Sequence, residues 1–154
     1  MAKIKPLKEC ELFRSLEDRE IALLAKAVEE KTLAANTPLF YENMMGEAMY
    51  VVAGGGIQLS KMLTEGEVKT LTTLGPGEYF GEMALMEAGP RTVSAIATAD
   101  STVLVLRRNE FQKLMAEQPQ IAMKIIIRMY QMLSTRLRQA SPRIQQMILE
   151  RPAA

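Results

Sequence analysis

The sequence has no histidine, no tryptophan and a single cysteine, Cys10. Without histidine there is no imidazole to ligate zinc or to serve as a general base near neutral pH. Ser-His-Asp and Cys-His mechanisms are excluded with it. One thiol cannot build a cysteine metal cluster or an intramolecular disulfide, and it fits a reducing compartment. An excess of one charge is also missing: 19 basic residues face 18 acidic ones, for a net charge of +1. Bulk charge therefore grips neither nucleic acid nor a membrane surface. Long apolar runs are absent too. The densest, Ile125-Ile126-Ile127, lies between Lys124 and Arg128, well short of the roughly 18 residues of a membrane span. The start, MAKIKPLKEC, has no apolar stretch behind its lysines, so no secretory signal is read there. A cytoplasmic protein without a membrane segment is expected.

What is present suits one globular domain over residues 1–154: 48% hydrophobic and 24% charged residues, in a chain long enough to bury a core. Residues 7–31 read as helical, with Leu12, Phe13, Leu16, Ile21, Leu24 and Val28 at helical spacing. A break at Ser15 to Asp18 splits them, with Ser15 or Asp18 as the N-cap. From 32 to 107 the texture changes to short apolar runs between turns. Leu39–Tyr41, Met49–Ala53, Ile57–Leu63, Val68–Leu74, Val93–Ala97 and Thr102–Leu106 are strand candidates. Gly54-Gly55-Gly56, Glu65-Gly66-Glu67 and Gly75-Pro76-Gly77 punctuate them. Helices return over 109–150, with Asn109 as an N-cap, a long helix from Gln120 to Ala140 and a short one from Arg143 to Glu150. The expected fold class is α+β: an antiparallel β jelly-roll barrel (a double-stranded β-helix) flanked by N-terminal helices and a long C-terminal helix.

The chemistry concentrates between Phe80 and Ala95, which read FGEMALM and GPRTVSA around a short spacer. A held phosphate needs backbone N–H groups, a bidentate cation and one more small donor. Gly81 lets the backbone approach closely. A short helix from Glu82 or Met83 offers N–H groups, Arg91 supplies the charge and Thr92 a hydroxyl. Glu82 does not suit a phosphate but can accept from a sugar hydroxyl, and so rejects sugars lacking one.

This stretch resembles the phosphate-binding cassette of the cyclic nucleotide-binding domain family, which reads roughly F-G-E-x-A-L and then P-R-[ST]-A. Leu12-Phe13, Tyr50-Val51-Val52 with Gly55, Leu74-Gly75-Pro76-Gly77 and Phe111 with Leu114-Met115 extend the resemblance over most of the chain. Val93 departs from the alanine common there. The resemblance implies that Gly81 and the amides of Met83 and Ala84 meet a cyclic phosphate. Arg91 and Thr92 take its oxygens, and Glu82 takes the ribose 2′-hydroxyl. Leu59 and Leu71 are candidates for the apolar wall beside the base. Thr92 permits cyclic GMP, whereas base rates in the family favour cyclic AMP.

In the family, the helix after the barrel closes over the base and often dimerises. Ser141, with Tyr130, Thr135 and Arg136, is a candidate base contact. Arg136 and Arg138 read more readily as solvated charges. The implied function is a regulatory receptor, not an enzyme, with no cofactor besides its cyclic nucleotide ligand. A homodimer through the C-terminal helix and an effector protein of unknown identity are its expected partners. Too few residues follow Pro142 for a helix-turn-helix, so no direct DNA binding is expected. The alternatives are an interaction or dimerisation module without ligand on the same fold, and a small jelly-roll enzyme, which the missing histidines disfavour.

Overall fold

The computed structural model of the chain describes residues 3–64, 66–140 and 142–150. Helix α1 (Ile4–Glu9), a 3-10 turn (Glu11–Phe13) and α2 (Asp18–Ala27) open it. The N-cap of α2 is Glu17, not Ser15 or Asp18. Its N–H donates to the Glu20 carboxylate at 2.9 Å, satisfying a group that the helix itself leaves free. The helix expected to reach Lys31 ends at Ala27. Glu29–Leu33 forms strand β1 instead, paired antiparallel with Ser101–Val105. Pairing with a distant strand overrides the local helical pattern there.

The strands that follow are β2 (Pro38–Phe40), β3 (Met45–Gly46), β4 (Ala48–Gly54), β5 (Ile57–Met62), β6 (Val68–Leu74) and β7 (Tyr79–Phe80). A 3-10 turn (Glu82–Leu85) leads to β8 (Gly89–Pro90), β9 (Ser94–Ala97) and β10 (Ser101–Arg107). Helices α3 (Arg108–Glu117), α4 (Pro119–Gln139) and α5 (Pro142–Leu149) complete the described chain. Arg107, rather than Asn109, is the N-cap of α3. Pro119 sits in the first turn of α4, where a missing N–H costs nothing.

The expected jelly roll is present as two four-stranded antiparallel sheets, ordered β1-β10-β4-β7 and β2-β9-β5-β6, with a small β3-β8 ladder. Among the described residues the two larger sheets are hydrogen-bonded separately and close over a shared core by side-chain packing. Phe40, Val52, Ile57, Phe80, Ala95, Val103 and Val105 fill it. Strands β4 and β10 of the first sheet are buried on both faces, and their alternation assigns each residue a side, whereas the edge strand β1 is exposed at all but Leu33. On β4, Met49 and Val51 face the helices while Ala48 and Val52 face the inter-sheet core; on β10, Leu104 and Leu106 face the helices while Val103 and Val105 face the core.

Against the helical face pack Leu12, Phe13, Ile21, Phe111, Ile121 and Ile125. Helix α4 is also fastened by charge. Lys124 meets the buried Glu20 at 2.7 Å, and Arg128 meets the Glu11 carboxylate at 2.9 Å and its carbonyl at 3.1 Å. The first half of α4 is thus tied to the N-terminal elements.

Candidate functional site

Tyr50 on β4 pairs with Phe80 on β7, and the chain turns sharply just beyond that pair. Gly81 makes the turn in the left-handed region, at φ 76°. A Cβ there would stand 2.7 Å from the Arg91 Nη1 atom and 3.3 Å from the Ala48 carbonyl, so only glycine fits by both conformation and space. The short helix expected at Glu82 is a single 3-10 turn, Glu82–Leu85. The Ala84 N–H donates to the Gly81 carbonyl at 3.1 Å, closing that turn on itself.

These residues border a cavity of about 710 Å³, a size ordinary for small-molecule sites. Gly81, Glu82, Met83, Ala84, Arg91, Thr92 and Leu59 all line it, as the sequence pattern required of a single site. Arg91 and Glu82 are buried, Thr92 is exposed at the rim, and the Met83 side chain is half-exposed. Leu71 is a correction. It is 49% exposed on β6 and lies outside the cavity lining. The register gives the reason: Leu59 pairs with Thr72 and Ser60 with Thr70, so a bulge leaves Leu71 unpaired and shifts the inward side. Thr72 and Leu74 line the cavity in its place. Ser141 lies outside the described residues.

Arg91 dominates the electrostatics. Its Nη2 donates to the Ala48 carbonyl at 2.7 Å. Among the described residues no carboxylate lies within salt-bridge distance of it, although nine other basic side chains have such partners. Burial holds its guanidinium below the ordinary arginine range. A buried cation of this kind is costly unless an anion joins it. The cavity therefore offers a fixed positive group and, in Glu82, a carboxylate suited to accepting from hydroxyls.

One site residue has a partner that the sequence did not name. Arg136, a candidate base contact read more readily as a solvated charge, reaches from α4 to Glu82 at 2.9 Å, and its Nη2 lies 3.4 Å from the Tyr79 hydroxyl. Burial pushes the Tyr79 phenol up to about 12, so that hydroxyl stays protonated. No sequence signal links positions 54 apart; only the packing of α4 against the sheet brings them together.

A sequence model of the family described as cyclic nucleotide-binding domain matches residues 30–118. The chain belongs to the cyclic nucleotide-binding domain family. Within that family, the cyclic AMP receptor protein of Thermus thermophilus is 34% identical over 134 residues, covering 87% of this chain and 60% of that protein. A cAMP-dependent protein kinase regulatory subunit of Aspergillus fumigatus is 33% identical over 109 residues, covering 71% of this chain and 26% of that protein. The crystal structure of the N-terminal domain of a transcriptional regulator from Streptomyces coelicolor superimposes with a TM-score of 0.78 at 30% identity. The match covers 88% of this chain and 94% of that one. The chain thus spans about three fifths of the length of the first curated relative. These relatives carry regulatory rather than catalytic names. No helix among the described residues of this cyclic nucleotide-binding domain is long and apolar enough to cross a membrane. No group of three or more Asp, Glu or Cys side chains there could hold a metal ion.

Proposed function

We propose that this domain is a cytoplasmic receptor for a 3′,5′-cyclic nucleotide, cyclic AMP in preference to cyclic GMP, and that it signals rather than catalyses. The observation that carries the reading is the buried Arg91, without a carboxylate partner among the described residues and next to Gly81 and Glu82. In this reading Arg91 and the Thr92 hydroxyl take the phosphate oxygens, and the backbone from Gly81 to Ala84 closes around them. Glu82 accepts from the ribose 2′-hydroxyl. Leu59, Thr72 and Leu74 line the path of the base. The names of the Thermus and Aspergillus relatives support cyclic AMP.

Signalling rests on α4. Arg136 already joins its last turns to Glu82. A ribose that claims Glu82 alters that tie, so the ligand favours one position of the helix end over another. Such differential affinity is all that a conformational signal requires. Tying of the first half to Glu20 and Glu11 confines the shift to the residues after Arg128. Isothermal calorimetry with cyclic AMP and cyclic GMP tests the receptor reading. Binding of cyclic AMP is expected, and the absence of heat with both nucleotides well above micromolar concentration would overturn it.

A homodimer through α4 fits its unpaired face. Met123, Ile127, Tyr130 and Leu137 are exposed and follow heptad spacing. Light scattering on the purified domain tests this, with a monomer at every concentration as the negative outcome. The expectation of no direct DNA contact is tested by a mobility-shift assay with and without cyclic AMP, since relatives in the family include transcriptional regulators.

A further inference from the structure

Arg91 is held in place by more than one hydrogen bond. Its backbone is clamped on both sides: its N–H donates to the Met44 carbonyl at 2.6 Å, and its carbonyl accepts from the Asn43 N–H at 2.8 Å. Its guanidinium then enters a slot. A Cβ built on the buried Gly46 would stand 3.0 Å from both Cζ and Nε. The Phe40 ring centroid lies 4.3 Å from Cζ, and that of Tyr50 lies 5.5 Å away. Phe40 is buried, and its ring is fixed by Tyr50 at 5.8 Å and Phe80 at 6.0 Å. These are three of the eight aromatic residues in the chain.

A ring engages the face of a guanidinium, while an anion engages its N–H edges. The two contacts do not compete. With Nη2 on the Ala48 carbonyl and the face on Phe40, the Nη1 side next to Gly81 is left to meet a ligand. We propose that Phe40, together with Gly46, is a positioning residue for Arg91, a π seat that sets the guanidinium for an anion before any anion arrives. This deepens the receptor reading and rests on it. The seat also accounts for arginine over lysine here, since an ammonium has no planar face to lay on a ring.

The seat has a signature that needs no ligand. A guanidinium stacked on Phe40 has its Nε–Hε proton shifted upfield by the ring current. In NMR spectra of the labelled domain, that resonance is assigned by its loss in Arg91→Lys, and it is expected to move downfield in Phe40→Leu. Calorimetry with 3′,5′-cyclic AMP is expected to give binding weakened about five- to thirty-fold in Phe40→Leu, the fold-change that corresponds to a cation–π contact. Phe40→Tyr, which keeps the ring, is expected to stay within about twofold. Should Phe40→Leu fail to fold, Gly46→Ala crowds the guanidinium off the seat and is expected to weaken binding with the same proton shift. An Nε–Hε resonance unchanged in Phe40→Leu, or affinity equal to or tighter than that of the unsubstituted domain, overturns the seat. An upfield resonance in a domain that binds neither nucleotide overturns the receptor reading and leaves the seat in place.

Discussion

Arg136 on α4 donates from Nη1 to the Glu82 carboxylate at 2.9 Å, joining the cassette to the long helix across 54 positions of sequence. Glu82 is buried and Arg136 half-exposed, so water screens the pair and its worth is about 0.2–1 kcal/mol. Arg136→Ala is expected to release the helix end without unfolding the domain. Amide hydrogen exchange of residues 132–139 should quicken by up to about fivefold, with residues 121–128 unchanged. Equal acceleration along all of α4 would show that the pair does not tether the end.

Replacing Arg91 separates stability from binding. Arg91→Leu removes a buried cation that has no carboxylate partner among the described residues, and fills much of its space with apolar atoms. The folded domain should be about 1 kcal/mol more stable in urea titrations without nucleotide. Its affinity for cyclic AMP should fall by about 3–5 kcal/mol, since the phosphate loses the only buried cation among the described residues. A destabilised variant that retained affinity would place the anion elsewhere.

Gly81→Ala brings two costs to one position. The left-handed conformation costs about 1–2 kcal/mol for a residue with a Cβ, and that Cβ would lie 2.7 Å from Arg91 Nη1. Thermal unfolding should drop accordingly. Affinity for cyclic AMP should drop further than in Gly75→Ala, where a Cβ meets nothing within 4 Å.

Glu20 governs the acid limb. The Glu17 N–H and then the Lys124 ammonium hold its carboxyl below the usual carboxylate range. A depressed folded value stabilises the fold above the unfolded value, about 4.3, and that contribution disappears as pH falls through the folded value. Glu20→Gln should cost about 1–2 kcal/mol at neutral pH. It should also flatten the loss of stability below about pH 4.3. Denaturant titrations at stepped pH check both.

Cys10 is shielded. Burial pushes its thiol up to about 12, and the thiolate is the reactive form. At pH 8 a thiol reagent should label it at least about a hundredfold more slowly in the native domain than in urea, because labelling waits for opening. Above about pH 8.5 the unfolded thiol ionises first, so stability falls as pH rises toward the folded value. Cys10→Ala should lessen that alkaline loss.

How much of this was legible in the sequence depended on distance along the chain. Gly81, Glu82, Arg91 and Thr92 sit within a dozen positions, and their residue types state their chemistry. Strands β4, β6 and β10 announced themselves by composition and turn spacing. Strand β1 did not, because EEKTL is polar and is a strand only through its partner β10. Leu71 was misplaced by one residue because the bulge at Leu59–Ser60 leaves no mark in the pattern. Arg136 and Phe40 joined the site through tertiary packing alone, one across 54 residues and the other through the face of a ring.

The two-sided burial of β4 carries a consequence for how the chain can change by descent. Tyr50 looks toward the aromatic cluster that seats Arg91, while Met49 and Val51 look toward the helices. Loss or gain of one residue within Ala48–Gly54 would exchange the two faces from that point on, placing helix-facing side chains against the cassette. The hairpin turn near Gly66, where a Cβ meets nothing within 4 Å, has no such bookkeeping. Lineages of this domain should therefore vary in length at that turn and keep β4 fixed to the residue.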